Sequence, residues 1–301
     1  MKTLLTIIGP TAIGKTALSI RLAQHFNCEI ISCDSRQFYK EMSIGTAVPE
    51  PHELAAAPHH FIHNKSIFDS YSVGDFEKEA IAQLDKLFAV NDFAVLVGGS
   101  GLYVDAVLKG FDDFPEVAEN IREKVSDEYA EEGISYLQEE LKKRDPEYFA
   151  TVDTGNPQRM MRALKVCLAT GQPYSTFLKR KKNTRNFSPI VIGLEAERPI
   201  MYDRINQRVD LMMQAGLLEE AQKLHAYKNL NALQTVGYRE LFAYFDGDFT
   251  LDFAVSEIKK NTRRFAKRQM TWFRRTENAQ WFDFKYNLQD IIDYINKQIQ
   301  K

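Results

Sequence analysis

The sequence has no hydrophobic segment long enough to suggest a membrane span. Its 301 residues contain no apolar run of about eighteen, the shortest length that normally crosses a bilayer as a helix. Residues 1–15 place Gly and Pro where a secretory signal would have its small-residue cleavage site. We therefore expect a cytoplasmic protein with no membrane partner.

The sequence also contains few of the cysteines and histidines that would form disulfide bonds or bind a metal ion. The three cysteines, at positions 28, 33 and 167, show no paired metal-ligand spacing, and a sparse, odd set is ordinary in a reducing compartment. Histidines at 59, 60 and 63 could share an ion, but no Cys or carboxylate stands at a matching spacing. Core packing is the expected role of the cysteines.

The net charge of −2 argues against a nucleic-acid partner, because Lys and Arg drive the binding of phosphates. The charges are, however, segregated along the chain. Residues 258–275 contain eight basic residues and no acidic one, and residues 179–185 contain five basic residues in seven. We find no balancing acid within a helical turn, so both runs favour an RNA-binding surface. A solvated helix face remains the alternative.

The distribution of apolar runs predicts an α/β fold. Short apolar segments at 3–8, 28–33, 93–97 and 189–194 indicate buried strands, and the segment at 76–89 has the periodicity of a helix. Strands that alternate with helices predict a parallel sheet covered on both faces. The expected core is therefore a P-loop NTPase-like sheet flanked by helices, and the chain after residue 194 is expected to be mainly helical.

A helical insertion is predicted in the middle of the chain. The strand signal disappears between residues 111 and 188, where polar helical segments occupy 117–133, 134–144 and 157–170. We therefore assign residues 1–113 and 189–301 to the catalytic core. Residues 114–188 form the predicted insertion domain.

The clearest motif is GPTAIGKT at 9–16, which matches the phosphate-binding loop G-x-x-x-x-G-K-[ST] between a predicted strand and a predicted helix. Its backbone N–H groups can face a diphosphate at the positive end of the helix, Lys15 adds a charge, and the Thr16 hydroxyl can bind Mg²⁺. The residues predicted to bind a diphosphate are Gly9, Pro10, Thr11, Ala12, Ile13, Gly14, Lys15 and Thr16.

P-loop NTPases usually carry an acidic residue at the end of a neighbouring strand, and no such residue is found here. The strand at 93–97 ends in GGSGLY instead. The nearest carboxylate at a strand end is Asp34, in a position where open α/β sheets bind substrates. From its residue type alone, Asp34 could be a metal ligand, a base or the N-cap of a helix, and the N-cap is the more common role.

Four segments together resemble the bacterial tRNA dimethylallyltransferases, also called tRNA isopentenyltransferases. They are GPTAIGKT at 9–16, DSRQFY at 34–39, IGTAVP at 44–49 and GGSGLY at 98–103, with further similarity at 58–62, 158–164, 204–220, 235–240 and 262–275. The resemblance implies transfer of the dimethylallyl group from dimethylallyl diphosphate to tRNA. The acceptor would be the exocyclic amine of the adenine 3′-adjacent to the anticodon, with diphosphate released and Mg²⁺ as cofactor.

The resemblance also implies roles for individual residues. Asp34 corresponds to the family's catalytic base, and Ser100 stands where the family usually has Thr. An Arg in the 204–220 segment would clamp the diphosphate, because a guanidinium contacts phosphate oxygens in a bidentate manner. We prefer Arg208 for this role, and Arg204, on the same helix face, is the alternative.

The anticodon stem-loop of tRNA is the expected partner of an enzyme that acts as a monomer. Four groups of residues are expected to contact it: the segment that begins at Asp34, the serine of GGSGLY, part of the insertion, and the basic run. They are Asp34, Ser35, Arg36, Gln37, Ser100, Arg122, Gln158, Arg159, Met160, Met161, Arg162, Lys267 and Arg268.

Three alternatives remain open at this stage. A small-molecule P-loop kinase would share the phosphate loop and the paired arginines, but it would not need the basic run. A relative that prenylates free adenine nucleotides would not need the insertion. An RNA-binding module without catalysis would not need Lys15 or Asp34.

Overall fold

The computed structural model describes residues 2–112, 114–178 and 185–300. Its centre is a six-stranded sheet in which every pairing is parallel, in the order β3-β2-β4-β1-β5-β6. The strands are β1 (Thr3–Ile8), β2 (Ile30–Ser32), β3 (His59–His60), β4 (Phe93–Val97), β5 (Ser188–Glu195) and β6 (Gln280–Asp283).

Helices make up most of the remaining regular structure. Before the insertion they are α1 (Lys15–His25), α2 (Pro51–Ala56), α3 (Val73–Val90) and α4 (Gly101–Lys109). Within it they are α5 (Glu119–Glu132), α6 (Ile134–Arg144), α7 (Pro146–Phe149) and α8 (Pro157–Thr170). After it they are α9 (Arg198–Gln214), α10 (Leu217–Leu224), α11 (Tyr238–Phe245), α12 (Leu251–Phe273) and α13 (Leu288–Ile299).

The central strand β1 is buried along its whole length, which explains its continuous apolar sequence. Successive side chains point to opposite faces of the sheet. Leu5 and Ile7 therefore pack in one hydrophobic cluster with residues of α1 and α13. Leu4 and Ile8 pack in a second cluster with residues of α3 and α4. The predicted α/β class, with helices on both faces of a parallel sheet, is confirmed.

A third cluster joins helices α9 to α12 to the loop after β2. Val209, Leu217, Tyr238 and Ile258 are at most 2% exposed, and they pack together with Met42. Helices α9 to α12 are therefore anchored to the loop that begins at residue 33. This packing places α9 and α12 beside the carboxyl ends of the strands.

The chain divides into two compact units, Met1–Lys109 with Thr184–Lys301, and Gly110–Asn183. The second unit covers most of the predicted insertion at 114–188. Its core includes Val125, Leu137 and Leu164. Helix α8, which has more buried residues than α5, starts with a side-chain cap from Asn156 and ends at Gly171 in the left-handed conformation.

Two strands were missed by the sequence prediction. β3 has two residues and pairs with β2 at one edge of the sheet, and β6 has four partly exposed residues at the opposite edge. Neither is long enough to show a strand period. β2 is also shorter than the predicted strand at 28–33. The expectation that the chain after residue 194 is mainly helical is correct except for β6.

Within the described residues, no helix has the length and apolarity required to cross a membrane. Of the basic run at 179–185, only Arg185 is described, and the rest lies outside the described residues. Arg185 donates to the carbonyl oxygens of Ala106 and Val107 and pairs with Glu77. This arginine therefore stabilises the end of α4.

Gly98, directly after β4, has backbone of the neighbouring strand where a side chain would stand. A Cβ at Gly98 would lie 2.7 Å from the carbonyl carbon of Cys33 and 2.5 Å from its sulfur. We expect Gly98→Ala to lower the free energy of unfolding by about 1–3 kcal/mol, because neither strand end can move freely. Urea denaturation measures the change.

The matched control is Gly74→Ala in α3, where the nearest atom to an added Cβ is 3.7 Å away. Here we expect a stabilisation of less than about 1 kcal/mol, since Ala restricts the unfolded chain more than Gly. If Gly98→Ala and Gly74→Ala changed the free energy of unfolding equally, the close approach of Gly98 to Cys33 would not limit the stability of the protein.

Candidate active site

Two adjoining cavities open at the carboxyl edge of the sheet. The first, of about 370 Å³, is lined by residues 11–16 and by Arg204, and we name it the P-loop cavity. The second, of about 600 Å³, is lined by Ser35, Ser100 and Trp272, among others, and we name it the α12 cavity. The residues that line both are Thr11, Asp34, Thr46, Ala47, Arg208, Phe265 and Gln269.

The phosphate loop has the backbone geometry that its glycines permit. Gly9 has a φ of 149°, and a Cβ there would lie 2.6 Å from the carbonyl oxygen of Leu194 in β5. Gly14 has a φ of 108° and precedes α1 without offering a side-chain cap. The first N–H groups of α1 therefore remain available for an anion from the P-loop cavity.

Lys15, the first residue of α1, points its ammonium group back to the loop, where Nζ donates to the Pro10 carbonyl oxygen at 2.8 Å. Desolvation, opposed by the negative charge of Asp34 and assisted by the positive charge of Arg208, lowers the pKa of Lys15 to about 8. The site thus holds a cation that an arriving anion would stabilise.

Arg204 and Arg208, both on α9, have different roles in the structure. Arg204 donates from Nε to the Ala12 carbonyl oxygen at 2.9 Å, and its guanidinium lies 5.1 Å from the centre of the Phe284 ring. Arg204 therefore supports the loop. Arg208 lies at the junction of the two cavities, where desolvation lowers its pKa and Asp34 raises it. This geometry favours Arg208 as the residue that reaches a ligand.

Asp34 follows β2 and lies where the cavities meet. Its Oδ1 accepts a hydrogen bond from the Arg36 N–H at 3.2 Å, and the chain at 35–38 forms turns. The carboxylate therefore caps a turn, and the alternative that it caps a helix does not hold. The position leaves Asp34 accessible to ligands in both cavities.

Ser100 holds the backbone beside Asp34. Its Oγ accepts a hydrogen bond from the Ser35 N–H at 3.2 Å and lies 3.1 Å from the Ser35 hydroxyl. The hydroxyl performs both contacts, so the methyl group of the usual Thr is not required for them. Ser100 links the loop after β4 to the loop after β2.

Two residues predicted to contact RNA are engaged within the protein. Arg36 donates to the carbonyl oxygens of Asn231 and Ala232 at 2.9 and 2.8 Å. Gln37 donates from Nε2 to the carbonyl oxygen of Ala47 at 2.8 Å. Arg36 therefore lines the α12 cavity and Gln37 the P-loop cavity, and their contact with RNA remains a prediction.

The insertion residues divide into an exposed and a buried set. Arg122, Gln158, Arg159 and Arg162 are exposed, and their predicted contact with tRNA stays a prediction. Met160 and Met161 are 0% and 8% exposed and belong to the insertion's hydrophobic core. The prediction is corrected for these two, because their side chains offer no surface to RNA.

The basic run at 258–275 lies on α12 and just beyond it. Part of it is neutralised, contrary to the prediction: Lys260 pairs with Glu257 on the same helix, and Lys259 pairs with Asp210 on α9. Lys267 and Arg268 are exposed, and Arg268 lines the α12 cavity. Arg268 therefore brings positive charge from the basic run to the α12 cavity.

Several residues of the site were not singled out from the sequence. Gln269 and Trp272 line the α12 cavity, as does Phe265. The Trp272 indole donates to Asp105 at 2.8 Å, and a Cβ at Gly101 would lie 2.4 Å from its ring. The sequence signal for these three residues was their spacing of four and three, which places them on one face of a helix next to Lys267 and Arg268. The same spacing is typical of helix residues that pack into a hydrophobic core.

The three histidines at 59, 60 and 63 do not converge. His59 contacts the Ala57 carbonyl oxygen, His60 pairs with Glu29, and His63 lies 3.3 Å from Ser43 Oγ. Among the residues that the structure describes, no group of three or more His, Cys, Asp or Glu side chains could hold a metal.

Comparisons with known proteins identify relatives along the whole chain. The family model described as IPP transferase matches residues 37–276. The tRNA dimethylallyltransferase of Flavobacterium johnsoniae is 63% identical, with 100% of this chain and 99% of the relative covered. The tRNA dimethylallyltransferase 1 of Bacteroides fragilis is 46% identical, with 99% of each chain covered.

A solved structure gives the same result for the fold. The full-length tRNA isopentenylpyrophosphate transferase of Bacillus halodurans is 37% identical and superposes with a TM-score of 0.74. The comparison covers 100% of this chain and 97% of that one.

The lowered pKa of Lys15 predicts how diphosphate binding depends on pH. Lys15 loses its charge as the pH rises through about 8, and an anion binds the charged form, so affinity for inorganic pyrophosphate should fall above pH 8. At pH 9 the loss should be about tenfold relative to the plateau, since one unit above the pKa leaves about a tenth protonated. Isothermal titration calorimetry measures it.

Lys15→Arg is the matched control, because a guanidinium stays charged throughout this range. The ionisation of pyrophosphate itself affects both proteins equally. The dissociation constant of the wild type relative to that of Lys15→Arg should therefore be constant below about pH 8 and rise above it, and a ratio that is constant from about pH 6.5 to 9.5 would contradict the assignment.

Proposed function

This chain belongs to the IPP transferase family and modifies tRNA by prenyl transfer, and we propose that its two cavities hold the two substrates. Dimethylallyl diphosphate occupies the P-loop cavity, and the adenine 3′-adjacent to the anticodon enters the α12 cavity. The observation that carries this proposal is that Asp34 and Arg208 line both cavities. A base and a cation therefore stand where donor and acceptor would meet.

The donor is held by its diphosphate. The free N–H groups at the start of α1 and the Lys15 ammonium would contact its oxygens, in keeping with the open helix terminus and the lowered lysine pKa. Arg208 would supply the second charge from α9. Both cations stabilise the diphosphate more strongly as negative charge develops on it, which favours bond breaking.

The site also fits a Mg²⁺ ion. Among the described contacts, no hydrogen bond engages the Thr16 hydroxyl, and Thr16 lines the P-loop cavity beside Lys15. We propose that Thr16 and the diphosphate oxygens hold the ion, since Mg²⁺ is usually bound by few protein ligands and by substrate phosphates. When bound, it would neutralise charge on the leaving group.

The acceptor is an adenine extruded from the RNA stack. Its replacement stacking would come from Phe265 and Trp272, which are 37% and 39% exposed at the α12 cavity. The exocyclic nitrogen would attack the allylic carbon, so that a C–N bond forms while the C–O bond to diphosphate breaks. Asp34 would take the proton that the nitrogen loses.

We propose that the enzyme acts as a monomer. Because tRNA is its acceptor, we also propose a cytoplasmic location.

The reaction is tested by incubating the protein with labelled dimethylallyl diphosphate and Mg²⁺, with unmodified tRNA or AMP as acceptor. Label should enter tRNA and not AMP. A parallel incubation with ATP should release no phosphate. Label in AMP, or phosphate release from ATP, would instead support a nucleotide prenyltransferase or a kinase.

Replacing Asp34 should separate chemistry from RNA binding. We expect Asp34→Ala and Asp34→Asn to lower kcat by about 10²–10⁴-fold, the usual effect of removing a general base. The Kd for tRNA, measured by filter binding, should change by less than about threefold. A parallel loss of tRNA affinity and turnover would indicate that Asp34 mainly binds RNA.

The exposed charges of α12 predict the salt dependence of RNA binding. Changing Lys267 and Arg268 together to Gln should weaken tRNA binding and lower the slope of log Kd against log salt by about one per lost phosphate contact. Lys297→Gln on α13, an exposed charge far along the chain, is the control and should leave the slope unchanged. An unaltered slope in the double variant would remove α12 from the RNA interface.

A further inference from the structure

Gln269 is a buried amide whose two ends contact two different loops of the site. Its Oε1 accepts a hydrogen bond from the Thr11 N–H at 2.9 Å, and its Nε2 donates to the Gly99 carbonyl oxygen at 2.8 Å. The residue is only 5% exposed. If the amide were flipped, its NH₂ group would face the Thr11 N–H and its oxygen would face the Gly99 carbonyl oxygen, so the two hydrogen bonds together fix its orientation.

The first bond acts on Lys15 through one peptide group. The carbonyl of Pro10 and the N–H of Thr11 belong to the same planar unit. The N–H donates to Gln269, and the carbonyl accepts from Lys15 Nζ at 2.8 Å. Gln269 therefore sets the direction of the carbonyl on which the Lys15 ammonium rests.

The second bond acts on the loop beside Asp34. Gly99 precedes Ser100, whose hydroxyl accepts from the N–H of Ser35, the neighbour of Asp34. A Cβ at Gly99 would lie 2.4 Å from Gln269 Nε2 and 3.6 Å from Asp34 Oδ2. The amide thus fills the space at this point and fixes the backbone that holds the carboxylate.

We propose that Gln269 is a positioning residue that sets the separation between the diphosphate cradle and the base. Its hydrogen bonds go to neither Lys15 nor Asp34; they tie Thr11 on the donor side to Gly99 on the acceptor side. This inference rests on the proposed function, in which Lys15 contacts the leaving group and Asp34 takes the proton. A looser amide would let the two loops separate, and misplacement by about 1 Å costs up to 10²-fold in rate.

The test compares Gln269→Glu with Gln269→Met in steady-state transfer of labelled dimethylallyl groups to tRNA. We expect kcat to fall by about 10- to 100-fold in both variants at neutral pH, with the KM for tRNA within about threefold of wild type. An ionised Glu accepts from Thr11 but presents a second oxygen to the Gly99 carbonyl, and Met makes neither bond.

The pH profile distinguishes positioning from packing. A protonated Glu regains a donor for Gly99, and burial raises the pKa of a carboxyl group. The kcat of Gln269→Glu relative to wild type should therefore rise as the pH falls from 8 to 5.5, whereas the ratio for Gln269→Met should stay flat. Gln269→Asn, which keeps the amide but is one methylene shorter, provides the comparison if Met prevents folding, and should also lose kcat.

The surface change Gln289→Met on α13 is the matched control and should leave kcat unaltered. Wild-type kcat in folded Gln269 variants, or a flat pH ratio for Gln269→Glu, would overturn the positioning role while the proposed function stands. Failure of the wild-type protein to label tRNA would instead count against the proposed function.

Discussion

The chemistry of this protein depends on the parallel pairing of three neighbouring strands. β1 pairs with β4 and β4 pairs with β2, so all three carboxyl ends lie at one edge of the sheet. The loops that leave these ends carry the phosphate loop, the GGSG turn and Asp34. A shift of one strand in register would move its loop by a residue and separate groups that are far apart in sequence.

The position of Asp34 explains how the site accommodates the two cations Lys15 and Arg208. Desolvation and the positive charge of Arg208 both disfavour the charged form of Lys15, and the negative charge of Asp34 offsets part of this effect. Such a site gains more from a diphosphate than a solvated lysine would, since the incoming charge relieves an existing repulsion. Lys15 Nζ donates to the Pro10 carbonyl oxygen, so the phosphate loop itself fixes the position of the ammonium group.

The fold and part of the site could be predicted because their signals are local. A continuous apolar run defines β1, and the spacing of Gly9, Gly14 and Lys15 defines the phosphate loop. The edge strands could not be predicted, because two to four partly exposed residues show no period. Motif similarity could not distinguish Arg204 from Arg208 either. Their roles depend on which guanidinium meets Ala12, a contact 192 residues apart.

α12 shows most clearly why pattern alone was insufficient. Along one helix, Lys267 and Arg268 are exposed, Gln269 is buried against two loops, and Trp272 contacts Asp105. A basic run therefore contains a residue whose importance comes from two backbone groups and not from charge. Since Gln269 lies 258 residues from Thr11, only the packing of α12 against the end of the sheet joins them. The helix that is expected to bind RNA thus also holds the phosphate loop in place through Gln269.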